Sequence, residues 1–182
     1  MDFQIDRSVI EAAYKGNLHR LESLEIEIRH TIEKAATKEN LKINTLESRI
    51  KSIESVIDKA ERKELKDPVL ELNDVVGVRI IVLLKSYLHS FEILIRNEFD
   101  IIDIDDKSYS SDGLGYRSEH FVCKLKSDIC GPRYNDIKDL KFEIQLRSLC
   151  MHSWAALSHH LQYKSEMDVP KEGRVADCVE IR

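Results

Sequence analysis

A short basic segment, "RIKSIESVIDKAERK", carries the residue types that bind phosphate groups. If a helix begins at Ser52, a good N-cap residue, one hydroxyl and two cations share a helix face at relative positions i, i+4 and i+7. These side chains are Ser55, Lys59 and Arg62, with Arg49 and Lys51 just before the helix. Such a group suits a polyphosphate, because cations and a helix N-terminus both attract negative charge. The alternative is a basic helix face that only meets solvent.

Asp74 stands where the chain enters the apolar run "VVGVRIIVLL". A carboxylate at a strand edge is a common Mg²⁺ ligand, because this small ion prefers carboxylates together with phosphate oxygens. The alternative is a turn aspartate that caps the preceding loop. Arg79 interrupts the same run. A charged side chain in such surroundings needs a partner, so a ligand or a buried carboxylate is expected beside it.

The stretch "KFEIQLRSLCMHSWAALSHHLQYK" combines a strand pattern with a helix pattern. Polar residues alternate with apolar ones in the strand and so share one of its faces: Lys141, Glu143, Gln145 and Arg147. In the helix a polar face lies opposite an apolar one and carries His152, Ala156, His159 and Tyr163. The polar side chains therefore predict one continuous cleft wall. Tyr116 follows "GLG", so a flexible loop can present its ring to a base, although an ordinary surface tyrosine is the alternative.

These residues need a scaffold, and the periodicity of the chain predicts one. A helix with a 3.6-residue apolar stripe is predicted over residues 8–36, and another after Ser52. The run after Asp74 is predicted to be the central strand, buried on both faces. The rest of the chain predicts, in order, a helix, a strand, a turn-rich loop, two alternating strands and a last helix. The apolar side of that last helix carries Cys150, Trp154, Leu157 and Leu161. The predicted fold class is α+β, a mixed sheet of four to five strands flanked by helices.

Composition narrows the function classes. A charged share of 34% is typical of a soluble globular domain, and the net charge of −5 argues against a general nucleic-acid coat, which needs a basic excess. The longest apolar run is too short to cross a bilayer, and the N-terminus lacks the order of a signal peptide. The four cysteines lack framework spacing, so free thiols in the cytoplasm are expected.

Five motifs in order resemble the synthetase domain of the RelA/SpoT family, which makes the alarmones (p)ppGpp. They are "RIKSIESVIDK", "DVVGVRI", "GYRSEH", "FEIQLRS" and "WAALSHHLQYK", and they cover roughly residues 49–164. The resemblance implies a nucleotidyltransferase-like fold and a single synthetase domain over 1–182, with an N-terminal helical region at 1–45, a catalytic core at 46–165 and a tail at 166–182. Because 182 residues are too few for the hydrolase half of long members as well, the resemblance implies a small alarmone synthetase.

The resemblance also implies a role for each matching residue. ATP would bind to Arg49, Lys51, Ser55, Lys59 and Arg79, with Arg49 stacked on adenine. Asp74 would hold Mg²⁺, and Glu143 would activate the ribose 3′-hydroxyl of GTP or GDP or share the metal. Tyr116 would stack on guanine. The other residues assigned to the acceptor nucleotide are Arg117, Ser118, His120, Arg147, His159 and Lys164. A homo-oligomer, a tetramer by analogy, is also implied.

Departures from the family pattern bear on the acceptor. Leu114 replaces a usual asparagine, Ser158 a glutamate and His152 an aspartate, and Tyr87 lies near the place of a second adenine-stacking arginine. One alternative is therefore a toxin-like synthetase that modifies the 3′ end of tRNA or an adenine nucleotide. Another is an inactive nucleotide-binding sensor. A zinc site is not expected, because Cys150 lies on the opposite helix face from His152 and His159.

Overall fold

The computed structural model describes residues 7–65, 67–108 and 117–164, of which 105–108, 117–118 and 158–164 are described by their backbone alone. In chain order the elements are α1 (Arg7–Lys38), β1 (Thr45–Ile50), α2 (Ile53–Lys63), α3 (Pro68–Glu71), β2 (Val76–Val82), α4 (Leu88–Glu98), β3 (Phe99–Ser108), β4 (Arg117–Leu125), α5 (Pro132–Asn135), β5 (Phe142–Ser148) and α6 (Leu149–Lys164). The predicted α+β class is confirmed.

The strands form a five-stranded mixed sheet in the order β1-β2-β5-β4-β3. β2 pairs with β5 in parallel, and the other neighbours are antiparallel. The central strand is therefore β5, and the prediction that the run after Asp74 is central was wrong. Its burial on both faces was also wrong, because Gly77 and Arg79 are only half-buried on the face opposite Val76 and Val78. That half-covered face carries the polar side chains of the neighbouring strands.

The apolar face of the sheet packs against α1 and α4. Phe142, Ile144 and Leu146 of β5 are buried in one cluster with residues of both helices, while Glu143 and Gln145 point to the other face. The alternation predicted for this strand is confirmed. Each fully buried large apolar side chain contributes about 1.5–3 kcal/mol, so this face stabilises the sheet while the opposite face stays available for polar groups.

The two helices that flank β1 follow the predicted pattern. The long predicted helix is present as α1, and its stripe from Ile10 to Ile32 is buried. α2 has Ser52 as its N-cap, whose hydroxyl oxygen accepts a hydrogen bond from the backbone N–H of Ser55. Tyr14 of α1 donates a hydrogen bond of 2.8 Å to the carbonyl of Lys51, so α1 also supports the connection between β1 and α2.

The predicted last helix is present as α6, but its apolar side is not covered within the described chain. Trp154 and Leu157 are 41% and 44% exposed, and Cys150 is exposed too. Periodicity shows that a helix has an apolar side and not what covers it, so the sequence predicts the helix and leaves the cover of this side open. Across the described residues, no helix is long and apolar enough to cross a membrane.

Candidate active site

Asp74 lies between two lysines from the basic segment. Nζ of Lys51, just after β1, and Nζ of Lys59, on α2, donate to Oδ2 of Asp74 at 2.6 and 2.7 Å. Burial raises the pKa of Asp74, but the hydrogen bonds and charges of the two lysines outweigh burial, so the pKa lies below its ordinary value. The aspartate is therefore ionised at neutral pH, and two ammonium groups are held beside it.

The second oxygen of Asp74 has no such partner. Oδ1 is buried and accepts no hydrogen bond from the residues that the structure describes. A buried anionic oxygen without a donor is unfavourable unless something else supplies positive charge. Asp74 therefore has one oxygen held by lysines and one available to a further cation.

Glu143, on the central strand β5, is held by two different donors. His120 Nδ1 lies 2.8 Å from Oε1, and Gln145 Nε2 donates to Oε2 at 2.7 Å. Burial raises the pKa of Glu143, as does the nearby negative charge of Asp74, but the two hydrogen bonds prevail and the pKa is lowered. Glu143 is thus an ionised carboxylate within electrostatic reach of Asp74.

Two adjoining cavities meet at these carboxylates. The first has a volume of about 360 Å³ and is lined by strand residues that include Arg49, Gly77 and Arg79. The second, of about 260 Å³, lies towards α2 and β3 and is lined by residues that include Lys59 and Lys63. Asp74 and Glu143 line both cavities. The arrangement offers two neighbouring binding spaces with two carboxylates at their junction.

The face of the sheet accounts for this convergence. Arg49 is paired across β1 and β2 with Gly77, and Gly77 is paired across β2 and β5 with Glu143. A Cβ at Gly77 would meet Arg49 Cγ at 4.0 Å, which is an ordinary contact, so the glycine leaves a shallow floor between the arginine and the glutamate. Arg79 lies two residues after Gly77, on the same face of β2, and donates to Glu47 at 2.9 Å and to Gln145 at 3.1 Å.

The residues of this site lie within the part of the chain that matches a known protein family. Residues 48–168 match the family described as "Region found in RelA / SpoT proteins", which is more than half of the chain. The chain belongs to the RelA/SpoT family. The matched range begins just before the basic segment and contains both Asp74 and Glu143, so the resemblance in the sequence is confirmed.

Individual members of the RelA/SpoT family support the same grouping. GTP pyrophosphokinase YwaC from Bacillus subtilis is 32% identical over 71% of this chain and 63% of its own length. The chain thus spans less than two thirds of that curated relative. Small alarmone synthetase 2 from Bacillus subtilis has a TM-score of 0.69 at 27% identity, covering 88% of this chain and 86% of its own. Small alarmone synthetase 1 from the same organism, bound to its product pppGpp, has a TM-score of 0.60 at 26% identity, covering 91% and 85%.

Some residues predicted for the donor nucleotide converge and others lie apart. Arg49 and Arg79 line the first cavity, Lys59 lines the second, and Lys51 reaches Asp74. Ser55 is exposed at the start of α2, where its backbone N–H donates to the hydroxyl of the N-cap Ser52 and its own hydroxyl oxygen accepts from Ser52 at 3.1 Å. Arg62, placed by its spacing on the phosphate face, is exposed and donates to the carbonyl of Asp58. Lys63, which the helical spacing does not indicate, lines the second cavity instead.

Most of the predicted acceptor residues lie outside what the structure describes. Tyr116 is not among the described residues, and only the backbone is described at Arg117, Ser118, His159 and Lys164. Arg147 is half-buried on the same β5 face as Glu143. His120 is 5% exposed and contacts Glu143. The acceptor assignments therefore stay predictions. The contact of His120 with Glu143 indicates that the histidine supports the glutamate.

Gln145, which the strand pattern predicts on the cleft wall without a specific role, links two site residues. It contacts both Arg79 and Glu143. The signal in the sequence was its place two residues after Glu143, because residues at that spacing share one face of a strand. Asp103 also lines the second cavity.

Proposed function

We propose that this protein transfers the pyrophosphoryl group of ATP to the ribose 3′-hydroxyl of GTP or GDP and so makes (p)ppGpp. Membership of the RelA/SpoT family and the likeness to proteins named GTP pyrophosphokinase and small alarmone synthetase support this reaction. The observation that carries the proposal is that Asp74 and Glu143 line the same two adjoining cavities. A transfer between two nucleotides needs two binding spaces that meet at the reacting groups.

The donor nucleotide is assigned to the first cavity and the basic residues beside it. The planar guanidinium groups of Arg49 and Arg79 line that cavity and can stack on an adenine ring, as arginine commonly does on aromatic faces. Lys51 and Lys59 would bind the triphosphate. Both ammonium groups already lie within 2.7 Å of one carboxylate oxygen, so a polyphosphate that arrives there meets preorganised positive charge. Ser55 lies at the N-terminus of α2 and would add a hydroxyl donor.

The acceptor nucleotide is assigned to the side of Glu143 that faces the second cavity, with Tyr116 stacked on its guanine. In the reaction the 3′-hydroxyl oxygen forms a bond to the β-phosphorus of ATP. The bond from that phosphorus to the oxygen bridging the α- and β-phosphates breaks, and AMP leaves. Glu143 takes the hydroxyl proton, for which an ionised carboxylate is required. The protein contributes alignment and charge neutralisation, as enzymes of phosphoryl transfer generally do.

Mg²⁺ is the cofactor of this proposal, and the residues present fit it. Asp74 and Glu143 would supply the carboxylate oxygens, since both line the same pair of cavities and Oδ1 of Asp74 has no donor among the described residues. The described residues hold no cluster of three or more His, Cys, Asp or Glu that would bind a metal by themselves. Mg²⁺ does not need one, because it commonly uses one or two carboxylates with water and phosphate oxygens. When bound, it would supply positive charge beside the phosphates.

A labelling experiment tests the reaction. Purified protein is incubated with γ-labelled ATP, Mg²⁺ and, in separate reactions, GDP, GTP, GMP, an adenine nucleotide or tRNA, and the products are separated by chromatography. We expect label on GDP or GTP together with an equal amount of AMP. Label on tRNA or on the adenine nucleotide would show the toxin-like alternative, and no transfer to any acceptor would show the inactive sensor. Because ATP and guanine nucleotides are its substrates, we infer that the enzyme works in the cytoplasm, and the predicted tetramer stays a prediction.

A further inference from the structure

A row of side-chain hydrogen bonds crosses four strands of the sheet and passes through Glu143. Glu47 on β1 accepts from Arg79 on β2 at 2.9 Å, and Arg79 Nε donates to Gln145 on β5 at 3.1 Å. Gln145 donates to Glu143 at 2.7 Å, and His120 on β4 lies 2.8 Å from the other oxygen of Glu143. Both oxygens of the glutamate are therefore held, each by a donor from a different side.

The side-chain amide of Gln145 has only one orientation that satisfies both neighbours. Arginine has donors and no acceptor, so the oxygen of the amide must face Arg79. An ionised carboxylate has acceptors and no donor, so the amide nitrogen must face Glu143. Arg79 thus fixes Gln145, and Gln145 fixes one oxygen of Glu143, without any freedom to flip the amide.

His120 holds the other oxygen from a buried position. Its side chain is 6% exposed, against 16% for that of Glu143, so the glutamate lies between the histidine and the cavities. In the sheet His120 is paired with Gln145, which brings the two donors to neighbouring positions on β4 and β5. Because the carboxylate is ionised, Nδ1 of His120 must be the donor in this contact.

We propose that Gln145 and His120 are positioning residues that hold the carboxylate of Glu143 in one orientation. Each oxygen of a carboxylate has two lone pairs, so two donors occupy one on each oxygen and leave the others for a ligand in the cavities. Both residues act through Glu143 and not through the nucleotides. The inference rests on the proposed function, because Glu143 is the base in that reaction. A base held in one orientation needs no rearrangement when the hydroxyl arrives.

Matched substitutions separate this role from a merely structural one. His120→Asn keeps a donor near the position of Nδ1, whereas His120→Leu has a similar size and no donor. Gln145→Met removes both contacts of the amide at little change in length. We expect His120→Leu and Gln145→Met to lower kcat about 10- to 100-fold, which is typical when a supporting contact of an active-site group is lost. KM for both nucleotides should stay within about threefold, and His120→Asn should recover most of kcat.

Each result has a defined meaning. A rise in KM at unchanged kcat, or equal losses in His120→Asn and His120→Leu, would overturn the proposal. A second test combines Gln145→Met with Glu143→Ala. If Gln145 acts through Glu143, the double variant is no slower than Glu143→Ala alone, because residues that act as a unit are not additive. A further loss in the double variant would also overturn it.

Two controls keep the inference separate from the proposed function. Thermal unfolding and titration with a non-hydrolysable ATP analogue show whether each variant is folded and binds its donor nucleotide. A His120→Leu variant that fails these controls leaves Gln145→Met, whose side chain is only half-buried, to decide the question. Absence of transfer by the unmodified protein would refute the reaction itself. Transfer that is normal in the unmodified protein and unchanged in the variants would refute only the positioning role.

Discussion

Replacement of Glu143 by glutamine should separate catalysis from donor binding. Glutamine keeps the shape of the side chain but has no negative charge, and its single carbonyl oxygen can accept from only one of the two present donors. His120 can meet the new amide group by changing its tautomer, so the loss of stability should be about one hydrogen bond, ~1 kcal/mol. Lys51 and Lys59 contact Asp74 and not Glu143, so the cations for the triphosphate are unaffected.

The effect on turnover should be much larger. Positioned general bases commonly contribute about 10²- to 10⁴-fold, which corresponds to about 2.7–5.5 kcal/mol in the activation free energy. Release of AMP from ATP labelled at its α-phosphate gives kcat, and titration of a non-hydrolysable ATP analogue gives donor affinity. We expect kcat to fall by a factor in that range. The dissociation constant of the analogue should stay within about threefold of that of the unmodified protein, because the substitution removes no contact of the donor nucleotide.

A matched control keeps this test specific. Glu92 on α4 is a second glutamate held by side-chain contacts, in this case by Arg96 at 2.8 Å, on the helix that packs against the apolar face of the sheet. Glu92→Gln makes the same chemical change away from both cavities and should leave kcat unchanged. Normal turnover in Glu143→Gln would refute the assignment of the base, and an equal loss in both variants would mean that the loss is structural.

Other substitutions test separate features of the site. Tyr116→Ala should weaken the acceptor nucleotide much more than ATP in separate titrations, and equal affinities before and after the change would contradict the stacking role. Ser52→Ala should lower the free energy of unfolding by about 0.5–2 kcal/mol in urea, because α2 loses its N-cap. The pKa of Asp74 is lowered in the folded protein from its ordinary value of 3.8. Its contribution to stability should therefore be complete above pH 3.8 and be lost as the pH falls through the lower pKa of the folded state. The stability advantage of the unmodified protein over Asp74→Asn should therefore shrink below that pH, and a constant difference would be inconsistent with the lysine contacts.

Local structure was predictable because its causes are local. The cap at Ser52, the alternation of β5 and the apolar stripe of α1 each depend on residues that are neighbours in the sequence. The order of the strands was not predictable in the same way. A run rich in β-branched residues can form a central strand or the one beside it, and the choice depends on pairing with β5, more than sixty residues later. Gly77 and Arg79 in that run already indicated that one face of β2 is not packed against an apolar layer.

The candidate site was predictable in its residue types and less so in its contacts. The sequence brought cations, Asp74 and Glu143 into one hypothesis, and they do line adjoining cavities. The helical spacing that favoured Arg62 over Lys63 did not fix the rotation of α2, because Val56, Ile57 and Ala60 set that rotation by packing into the core. The burial of His120 beneath Glu143 depends on the β4–β5 register, which no spacing along the chain reveals.

The two carboxylates differ in a way that bears on their separate roles. Asp74 is held by two cations, so the aspartate and its lysines together carry a net positive charge that favours a polyphosphate. Glu143 accepts from the neutral amide of Gln145 and from Nδ1 of His120, so its two oxygens are held without a lysine or an arginine where a hydroxyl group must lose a proton. Different surroundings commonly assign different tasks to two acidic groups of one site. The lysines beside Oδ2 of Asp74 suit phosphate, and its donor-free Oδ1 is the oxygen that suits a metal ion, whereas Glu143 is suited to act as the base.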